Sequence, residues 1–108
     1  MNKPVFWTNI VTLYSRCGDV YVRAAEYEGC FWKRQDSLVY DGGRKLICRG
    51  FTVRIPEGCL IAPGDVLVLG RCGEEPDGDF LKRHAGNAFE VKTVLQGPYT
   101  QVTGTNVN

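Results

Sequence analysis

The chain has 108 residues, a formal net charge of +1 and 13 glycines. This length indicates one domain, residues 1–108, that is large enough to bury a core without disulfides or metals. The nearly balanced charge argues against a dedicated binder of nucleic acid or of anionic membranes. The longest apolar runs are too short to cross a bilayer, and the glycine content favours many turns over long helices.

Short runs of β-branched and aromatic residues dominate the first half of the chain, and they predict strands. Asp41-Gly42-Gly43 predicts the tip of a tight hairpin, because both turn positions need positive φ. Residues 1–8 are expected to form an N-terminal arm that packs on this domain or on a neighbour. The strands are expected at residues 9–15, 20–27, 30–34, 38–40 and 44–56, the last of which continues through Gly50.

The second half begins with the turn Pro63-Gly64-Asp65, which leads into a buried strand at residues 66–69. A polar, glycine-rich and exposed loop is expected to follow. One helical turn comes next, with Asp79 as its cap. A final polar segment is expected to be a flexible tail. These segments are, in order, the loop at 70–79, the helical turn at 80–84, strands at 89–95 and 99–103, and the tail at 104–108.

The spacing of these segments predicts the fold class. Roughly seven or eight short strands recur about every ten residues, with turn residues between them. No stretch carries a sustained helical period, so an α/β fold is not expected. The sequence therefore predicts an all-β protein, a small β-barrel of the SH3-like or OB-like kind, with a projecting hairpin or loop and terminal arms.

Catalytic patterns are scarce. His84 is the single histidine, and its neighbours Lys82 and Arg83 predict a solvated basic turn. Neither Ser15 nor Ser37 lies in a G-x-S-x-G motif. We therefore expect no catalytic site. A cysteine-dependent enzyme that uses His84 is the weakest of three functional hypotheses, because a Cys–His pair needs only to meet in space.

Metal-binding patterns are also weak. The five cysteines lack C-x-x-C spacing and are expected to be small core hydrophobes in a reducing compartment. A disulfide pair with one free thiol is the minority interpretation. Zinc is expected less still, because possible ligands are scattered. The acidic residues of loop 70–79 do not follow EF-hand spacing and are expected to be solvated. No metal and no cofactor is assigned. The cysteines are Cys17, Cys30, Cys48, Cys59 and Cys72.

One segment gathers basic and aromatic residues around the predicted hairpin. It can be interpreted as a solvated strand face, as a nucleic-acid surface of OB type, or as a partner of an acidic neighbouring subunit. The basic residues are Lys33, Arg34, Arg44, Lys45, Arg49 and Arg54, and the aromatic residues are Phe31, Trp32 and Tyr40.

Two motifs carry a resemblance to a known family. The first is Pro63-Gly64-Asp65-Val66-Leu67-Val68-Leu69-Gly70, and the second is Phe89-Glu90-Val91-Lys92-Thr93-Val94. With the order of elements across residues 9–103, they resemble the minor structural proteins of the head-to-tail cassette in tailed phages and prophages of Gram-positive bacteria. The chain is most similar to the head-closure, or stopper, type of head–tail connector. Residues 97–100 stand where the family often has histidine and tryptophan, which keeps a tail-completion (terminator) protein as the alternative.

The resemblance implies a non-enzymatic small barrel that assembles as a six- or twelvefold homo-oligomeric ring. Such a ring lies below the portal or its adaptor and above the tail terminator or tail tube, and it helps to retain packaged DNA. It also implies assembly in the cytoplasm of the host bacterium, a final location in the virion, and non-specific contact with DNA in the channel, with no membrane partner.

The resemblance further suggests which segments contact partners or face the channel. The basic hairpin is favoured as the projecting element, loop 70–79 is the competing candidate, and the arm reaches a neighbour. The candidate residues are Lys33, Arg34, Asp41, Gly42, Gly43, Arg44 and Lys45 on the hairpin, Arg71, Glu74, Glu75 and Asp77 on the loop, and Phe6 and Trp7 on the arm.

Overall fold

The computed structural model describes residues 7–106, and its strands close into an antiparallel β-barrel. The predicted all-β barrel class is therefore confirmed. Phe6 lies outside the described residues. The elements, in chain order, are β1 Asn9–Cys17, β2 Val20–Asp41, β3 Arg44–Ile55, β4 Val66–Leu69, α1 Phe80–Arg83, β5 Ala88–Gln96 and β6 Thr100–Asn106.

The barrel consists of two three-stranded antiparallel units that follow each other in sequence. Strands β1, β2 and β3 form the first unit, and β4, β5 and β6 form the second. Antiparallel pairing of β3 with β6 and of β1 with β4 joins the two units and closes the barrel. Helix α1 lies in the connection between β4 and β5.

The described residues form six strands rather than seven or eight, because several predicted strands are continuous. Strand β2 has 22 residues: it pairs with β1 as far as Cys30 and with β3 from Phe31 onward. The polar residues Gln35, Asp36 and Ser37, which suggested a break, remain paired with β3. Polar side chains do not interrupt a strand whose faces are both exposed, since the ladder uses only the backbone.

Strand β6 corrects the prediction of a flexible tail at 104–108. Residues 104–106 belong to β6, while 107 and 108 lie outside the described part of the chain. The side chain of Asn106 is buried and donates hydrogen bonds to the carbonyls of Leu81 at 2.9 Å and Ala88 at 2.8 Å. Small polar residues here therefore satisfy close packing and buried carbonyls rather than conferring mobility.

The core is centred on three aromatic rings from three strands. Phe51 and Phe89 stack with centroids 5.0 Å apart and an interplanar angle of 7°. Trp32 packs edge-on against both rings at 5.5 Å. Gly104 lies against Phe89, where a Cβ would be 2.8 Å from Cε2 and closer still to Cδ2 and to the carbonyl oxygen of Glu90. Only glycine at position 104 leaves room for this ring stack.

The Pro63-Gly64-Asp65 turn ties the entry of β4 to two other strands. The Asp65 carboxylate accepts hydrogen bonds from the backbone N–H groups of Arg16 and Ala62, both at 3.0 Å. The backbone N–H of Val91 donates to the Asp65 carbonyl at 2.8 Å. Asp65 is buried, with a relative exposure of 7%. This motif therefore joins the start of β4 to β1 and β5 by hydrogen bonds.

We predict that Gly104→Ala lowers the free energy of unfolding by roughly 1–3 kcal/mol or more, because the new methyl group overpacks the Phe89 ring and the Glu90 carbonyl. Chemical denaturation followed by tryptophan fluorescence measures the change. Gly58→Ala is the matched control, since a Cβ there meets nothing within 4 Å. Equal stability of the two variants would contradict the packing described for β6.

We predict that Asp65→Ala lowers the free energy of unfolding by roughly 1–3 kcal/mol, because it leaves two backbone N–H groups without their acceptor. Asp65→Asn keeps one side-chain oxygen and should lose less. The exposed residue Asp19 provides the control Asp19→Ala. Thermal melting of the three variants checks the order, and an Asp65→Ala protein as stable as the control would refute the role of this carboxylate.

Candidate functional site

The hairpin of β2 and β3 extends past the rest of the barrel. Its ladder runs from Phe31–Arg54 to Asp41–Arg44, whereas the pairing of β3 with β6 stops at Arg49. Within residues 7–106, segments 37–41 and 44–48 therefore pair only with each other. At about 3.3 Å per residue, this ribbon extends roughly 16 Å beyond the last three-stranded layer. We call residues 37–48 the ribbon.

The tip of the ribbon has the geometry that its sequence predicts. Gly42 and Gly43 have φ of 58° and 80°, which is the positive-φ pair of a type I′ turn. Asp41, Arg44 and Lys45 flank the turn and are exposed. The predicted hairpin tip is therefore confirmed, and its candidate partner-facing residues are accessible.

Both faces of the ribbon carry exposed apolar side chains. Directly opposite residues of an antiparallel pair share a face, so Leu38 and Ile47 lie on one face and Val39 and Leu46 on the other. Tyr40 shares the face of Leu38. The relative exposures are 67% for Tyr40, 62% for Leu38, 49% for Ile47, 44% for Val39 and 39% for Leu46. A two-stranded ribbon has no interior in which to bury these side chains.

The base of the hairpin carries further candidate residues. Lys33 is exposed. The Arg34 guanidinium donates to the Asp36 carboxylate at 2.9 and 2.8 Å and to the Gly86 carbonyl at 3.2 Å. The hydrogen bond from Arg34 holds the pKa of the Asp36 carboxyl below its usual value. Arg34 is therefore engaged within the chain, whereas the basic residues nearer the tip face solvent.

The three aromatic residues of this region do not form one stacking surface. Trp32 packs in the core, as described above. Phe31 lies 6.2 Å from the Trp7 ring, and the Arg54 guanidinium lies over it at 5.1 Å. Tyr40 is the exposed member of the three. The aromatic component of the nucleic-acid interpretation is therefore reduced to Tyr40.

Trp7, predicted as part of a reaching arm, packs on its own barrel. Its relative exposure is 7%, and its ring meets the Tyr99 ring edge-on at 5.4 Å. Tyr99 and Phe31 both contact the Arg54 guanidinium. Trp7 therefore packs with Phe31 and Tyr99 in one aromatic cluster on the barrel. Phe6, the other predicted arm residue, lies outside the described residues.

Loop 70–79 is largely exposed, as its composition predicted, but hydrogen bonds also hold it against strand β1. The Thr12 hydroxyl donates to the Gly70 carbonyl at 2.7 Å and accepts from the Cys72 N–H at 3.0 Å. The Tyr14 hydroxyl donates to the Glu74 carbonyl at 2.7 Å. Burial is the largest cause of a raised pKa of the Tyr14 phenol. The loop is thus held by two buried side chains, Thr12 and Tyr14.

Most candidate residues of loop 70–79 are engaged within the chain. Arg71 forms ion pairs with Glu28 at 2.7 Å and Glu26 at 3.2 Å. Asp77 accepts from Arg83 at 2.8 Å, which lowers the pKa of its carboxyl. Glu75 is exposed. Compared with the ribbon, this loop has fewer side chains available to a partner.

Glu74 lies at the centre of the contacts between this loop and α1. Its Oε2 lies 2.5 Å from His84 Nε2, and its Oε1 accepts from Arg83 at 2.6 Å. The hydrogen bonds from His84 and Arg83 hold the pKa of the Glu74 carboxyl below its usual value. His84 packs on the Phe80 ring at 4.7 Å and is partly buried. The predicted solvated basic turn therefore fits Lys82 and Arg83, which are exposed, but not His84, which is partly buried and paired with Glu74.

Helix α1 spans Phe80–Arg83, as predicted within one residue. Asp79 occupies the predicted N-cap position, but its side chain makes no capping hydrogen bond. Its backbone N–H donates to the Asp77 carboxylate at 2.9 Å instead. Four residues form a single helical turn, which Phe80 anchors by burial in the core.

Sequence reasoning missed one group of possible metal ligands. Cys72, Glu74 and His84 each place a donor atom so that all three atoms lie within 4.8 Å of one another. The single histidine and a Cys-x-Glu segment in the preceding loop were visible signals, but nothing in the sequence indicated that α1 folds back against this loop. The prediction that possible ligands are scattered is therefore wrong for these three residues.

No cysteine within residues 7–106 forms a disulfide. Cys30 is fully buried, as a small core hydrophobe should be, whereas Cys17 is exposed and Cys48 is partly exposed on the ribbon. Cys59 packs against the core, and burial raises the pKa of its thiol. The prediction of a core cysteine is therefore confirmed for Cys30 and wrong for Cys17.

Comparison of the chain with protein-family models, with curated proteins and with solved structures finds no match. Among the described residues, no helix is long and apolar enough to span a membrane.

Proposed function

We propose that this chain is a non-enzymatic structural subunit of the neck of a tailed bacteriophage. In this role it forms a homo-oligomeric ring of the head-closure type, of six- or twelvefold symmetry, between the portal or adaptor and the tail terminator or tail tube. The ring retains packaged DNA, assembles in the host cytoplasm and remains in the virion. The order of sequence motifs supports this role, and the ribbon supplies a means of assembly.

The apolar ribbon is the observation that carries the proposal. An isolated two-stranded hairpin is marginally stable in water, and contiguous exposed apolar side chains mark interaction sites. Full burial of a side chain such as Leu38 or Ile47 contributes roughly 1.5–3 kcal/mol. Because both faces of the ribbon are apolar, insertion between two neighbouring subunits would bury more surface than docking on one flat face.

A ring also requires that each subunit present two different surfaces, because its contacts are head-to-tail. The ribbon provides one surface and a part of the barrel wall of the next subunit provides the other. Trp7 is packed into its own barrel, so the ribbon, rather than the N-terminal arm, reaches the next subunit. A tail-completion protein would use the same ribbon and would differ in the partner that its ring contacts.

We predict that Leu38→Glu and Leu46→Glu, on opposite faces of the ribbon, abolish assembly without unfolding the barrel. A charge on either face is incompatible with a desolvated contact, whereas each position is exposed in the single chain. Native mass spectrometry of the chain, alone and with the neighbouring portal, adaptor and tail-tube proteins, measures the oligomer and identifies its partner. Melting temperature reports on the fold.

Leu60→Glu and Leu95→Glu are matched controls, since these leucines are 94% and 63% exposed and lie outside the ribbon. They should retain both fold and assembly. Co-assembly with the portal or adaptor supports the head-closure role, and co-assembly with tail proteins alone favours tail completion. A chain that stays monomeric with every one of these partners would contradict both roles.

Charge favours a second candidate function, binding of single-stranded nucleic acid by an OB-type barrel. Residues 33–49 contain five basic and two acidic side chains, and Lys33, Arg44 and Lys45 are exposed. Tyr40 is exposed between them and could stack on one base. The packing of Trp32 in the core leaves this candidate with one aromatic contact.

We predict weak, strongly salt-dependent binding of single-stranded DNA, because phosphate contacts release counterions with a slope of about 0.7 per contact. Arg44→Ala combined with Lys45→Ala should lower that slope by roughly 1.4. Tyr40→Ala should change affinity little if binding is electrostatic only. A titration by fluorescence anisotropy at several salt concentrations checks this, and a large loss with Tyr40→Ala would favour the nucleic-acid function instead.

A further inference from the structure

We infer that Cys72, Glu74 and His84 form a binding site for a zinc-like transition-metal ion, independently of the proposed function. The ligand atoms are the Cys72 thiolate sulfur, a Glu74 carboxylate oxygen and the His84 Nε2. They already lie within 4.8 Å of one another. Ligand atoms around a tetrahedral zinc are roughly 3.3–3.8 Å apart, given bond lengths of about 2.0–2.3 Å. A shift of about 1 Å in these partly exposed side chains would complete this arrangement.

Hydrogen bonds to side chains of β1 and β2 hold the backbone that carries Cys72 and Glu74. The Tyr14 hydroxyl lies 2.7 Å from the Glu74 carbonyl and 3.3 Å from both the carbonyl and the Sγ of Cys72. The Thr12 hydroxyl accepts from the Cys72 N–H at 3.0 Å, and Arg23 donates to the Cys72 carbonyl at 3.0 Å. Two of the three ligands are therefore presented by a short segment with little freedom to move away.

The third ligand, His84, is held by backbone hydrogen bonds to α1 and to the residues that follow it. The His84 N–H donates to the Phe80 carbonyl at 3.1 Å, and the His84 carbonyl accepts from Asn87 and Ala88 at 3.0 and 2.8 Å. The Phe80 ring supports the imidazole at 4.7 Å. His84 thus projects from a braced turn toward Glu74, where its Nε2 is 2.5 Å from the carboxylate.

Charges around the group suit a divalent cation. Thiolate and carboxylate supply two negative charges, and a neutral imidazole supplies a third donor. Arg83 binds Glu74 Oε1 at 2.6 Å and Asp77 at 2.8 Å, so it orients the carboxylate and leaves Oε2 directed at His84. On binding, the Cys72 thiol gives up its proton to solvent, and the metal replaces the proton between Glu74 Oε2 and His84 Nε2, which leaves a neutral imidazole with its one proton on Nδ1.

The donor types select the metal. Thiolate and imidazole favour zinc and similar borderline ions over magnesium or calcium, which prefer all-oxygen sites. Glu74 and His84 retain side-chain exposures of 37% and 24%, which gives the ion a path of entry and leaves room for water as a fourth ligand. The bound ion would link Cys72 and Glu74 of loop 70–79 to His84 at the C-terminal end of α1.

The full chain, stripped with a chelator and kept in a thiol-free reductant, is titrated with Co²⁺ as a spectroscopic probe and then with Zn²⁺. We expect one equivalent of Co²⁺ to produce a thiolate-to-cobalt charge-transfer band, and Zn²⁺ but not Mg²⁺ or Ca²⁺ to abolish it. Loss of an outer partner of a ligand lowers metal affinity about 10–100-fold. Cys72→Ser should remove the charge-transfer band, and His84→Gln should weaken zinc binding by more than about 100-fold.

Cys48→Ser is the matched control, because Cys48 lies on the ribbon away from the site, and it should bind as the parent does. A measurement on the unaltered chain avoids dependence on any variant: Zn²⁺ should slow alkylation of Cys72, located by peptide mass spectrometry, without slowing that of Cys17. Absence of the charge-transfer band, its persistence in Cys72→Ser, or equal protection of all thiols would overturn the inference. The ring experiments above could still succeed.

Discussion

The barrel depends on the close approach of β6 to the Phe89 ring at Gly104. Because position 104 has no side chain, Phe89 can stack on Phe51 and receive the edge of Trp32. Those three rings come from β5, β3 and β2, so one contact connects both three-stranded units across the core. The Asp65 turn and the buried Asn106 side chain then fix where β4 and the end of β6 meet this arrangement.

The fold class could be predicted from the sequence because its signals are local. Alternating apolar residues indicated strands, and Asp41-Gly42-Gly43 indicated a turn whose φ angles the structure bears out. Strand continuity was not predictable in the same way. Residues 35–37 lack apolar alternation, yet their backbone remains in the ladder with β3 because both faces are exposed there. The strand at 104–106 was missed because its small residues are explained only by a ring distant in sequence.

The candidate sites also differ in how far local sequence signals could predict them. The ribbon was visible in the sequence as a basic hairpin, but the exposure of its two apolar faces depends on the register of β3 with β6, in which Asn106 pairs with Arg49 and no described residue of β6 pairs nearer the tip. The contacts of Glu74 with His84 and Arg83 join segments about ten residues apart through the reversal of the chain at α1. Composition predicted a solvated acidic loop and a solvated basic turn; both are largely exposed, but ion pairs of Arg83 with Glu74 and Asp77 join them.

The continuity of β2 limits how its hairpin can vary in length. The same strand contributes Trp32 to the core and Tyr40 to the ribbon, so register established in the interior is transmitted outward. Side chains alternate faces with a period of two. Each residue added to both arms would lengthen the ribbon by about 3.3 Å. An even number of residues added to each arm would preserve the two faces at the tip. An odd number would exchange those faces, so viable insertions and deletions here should come in multiples of two per arm.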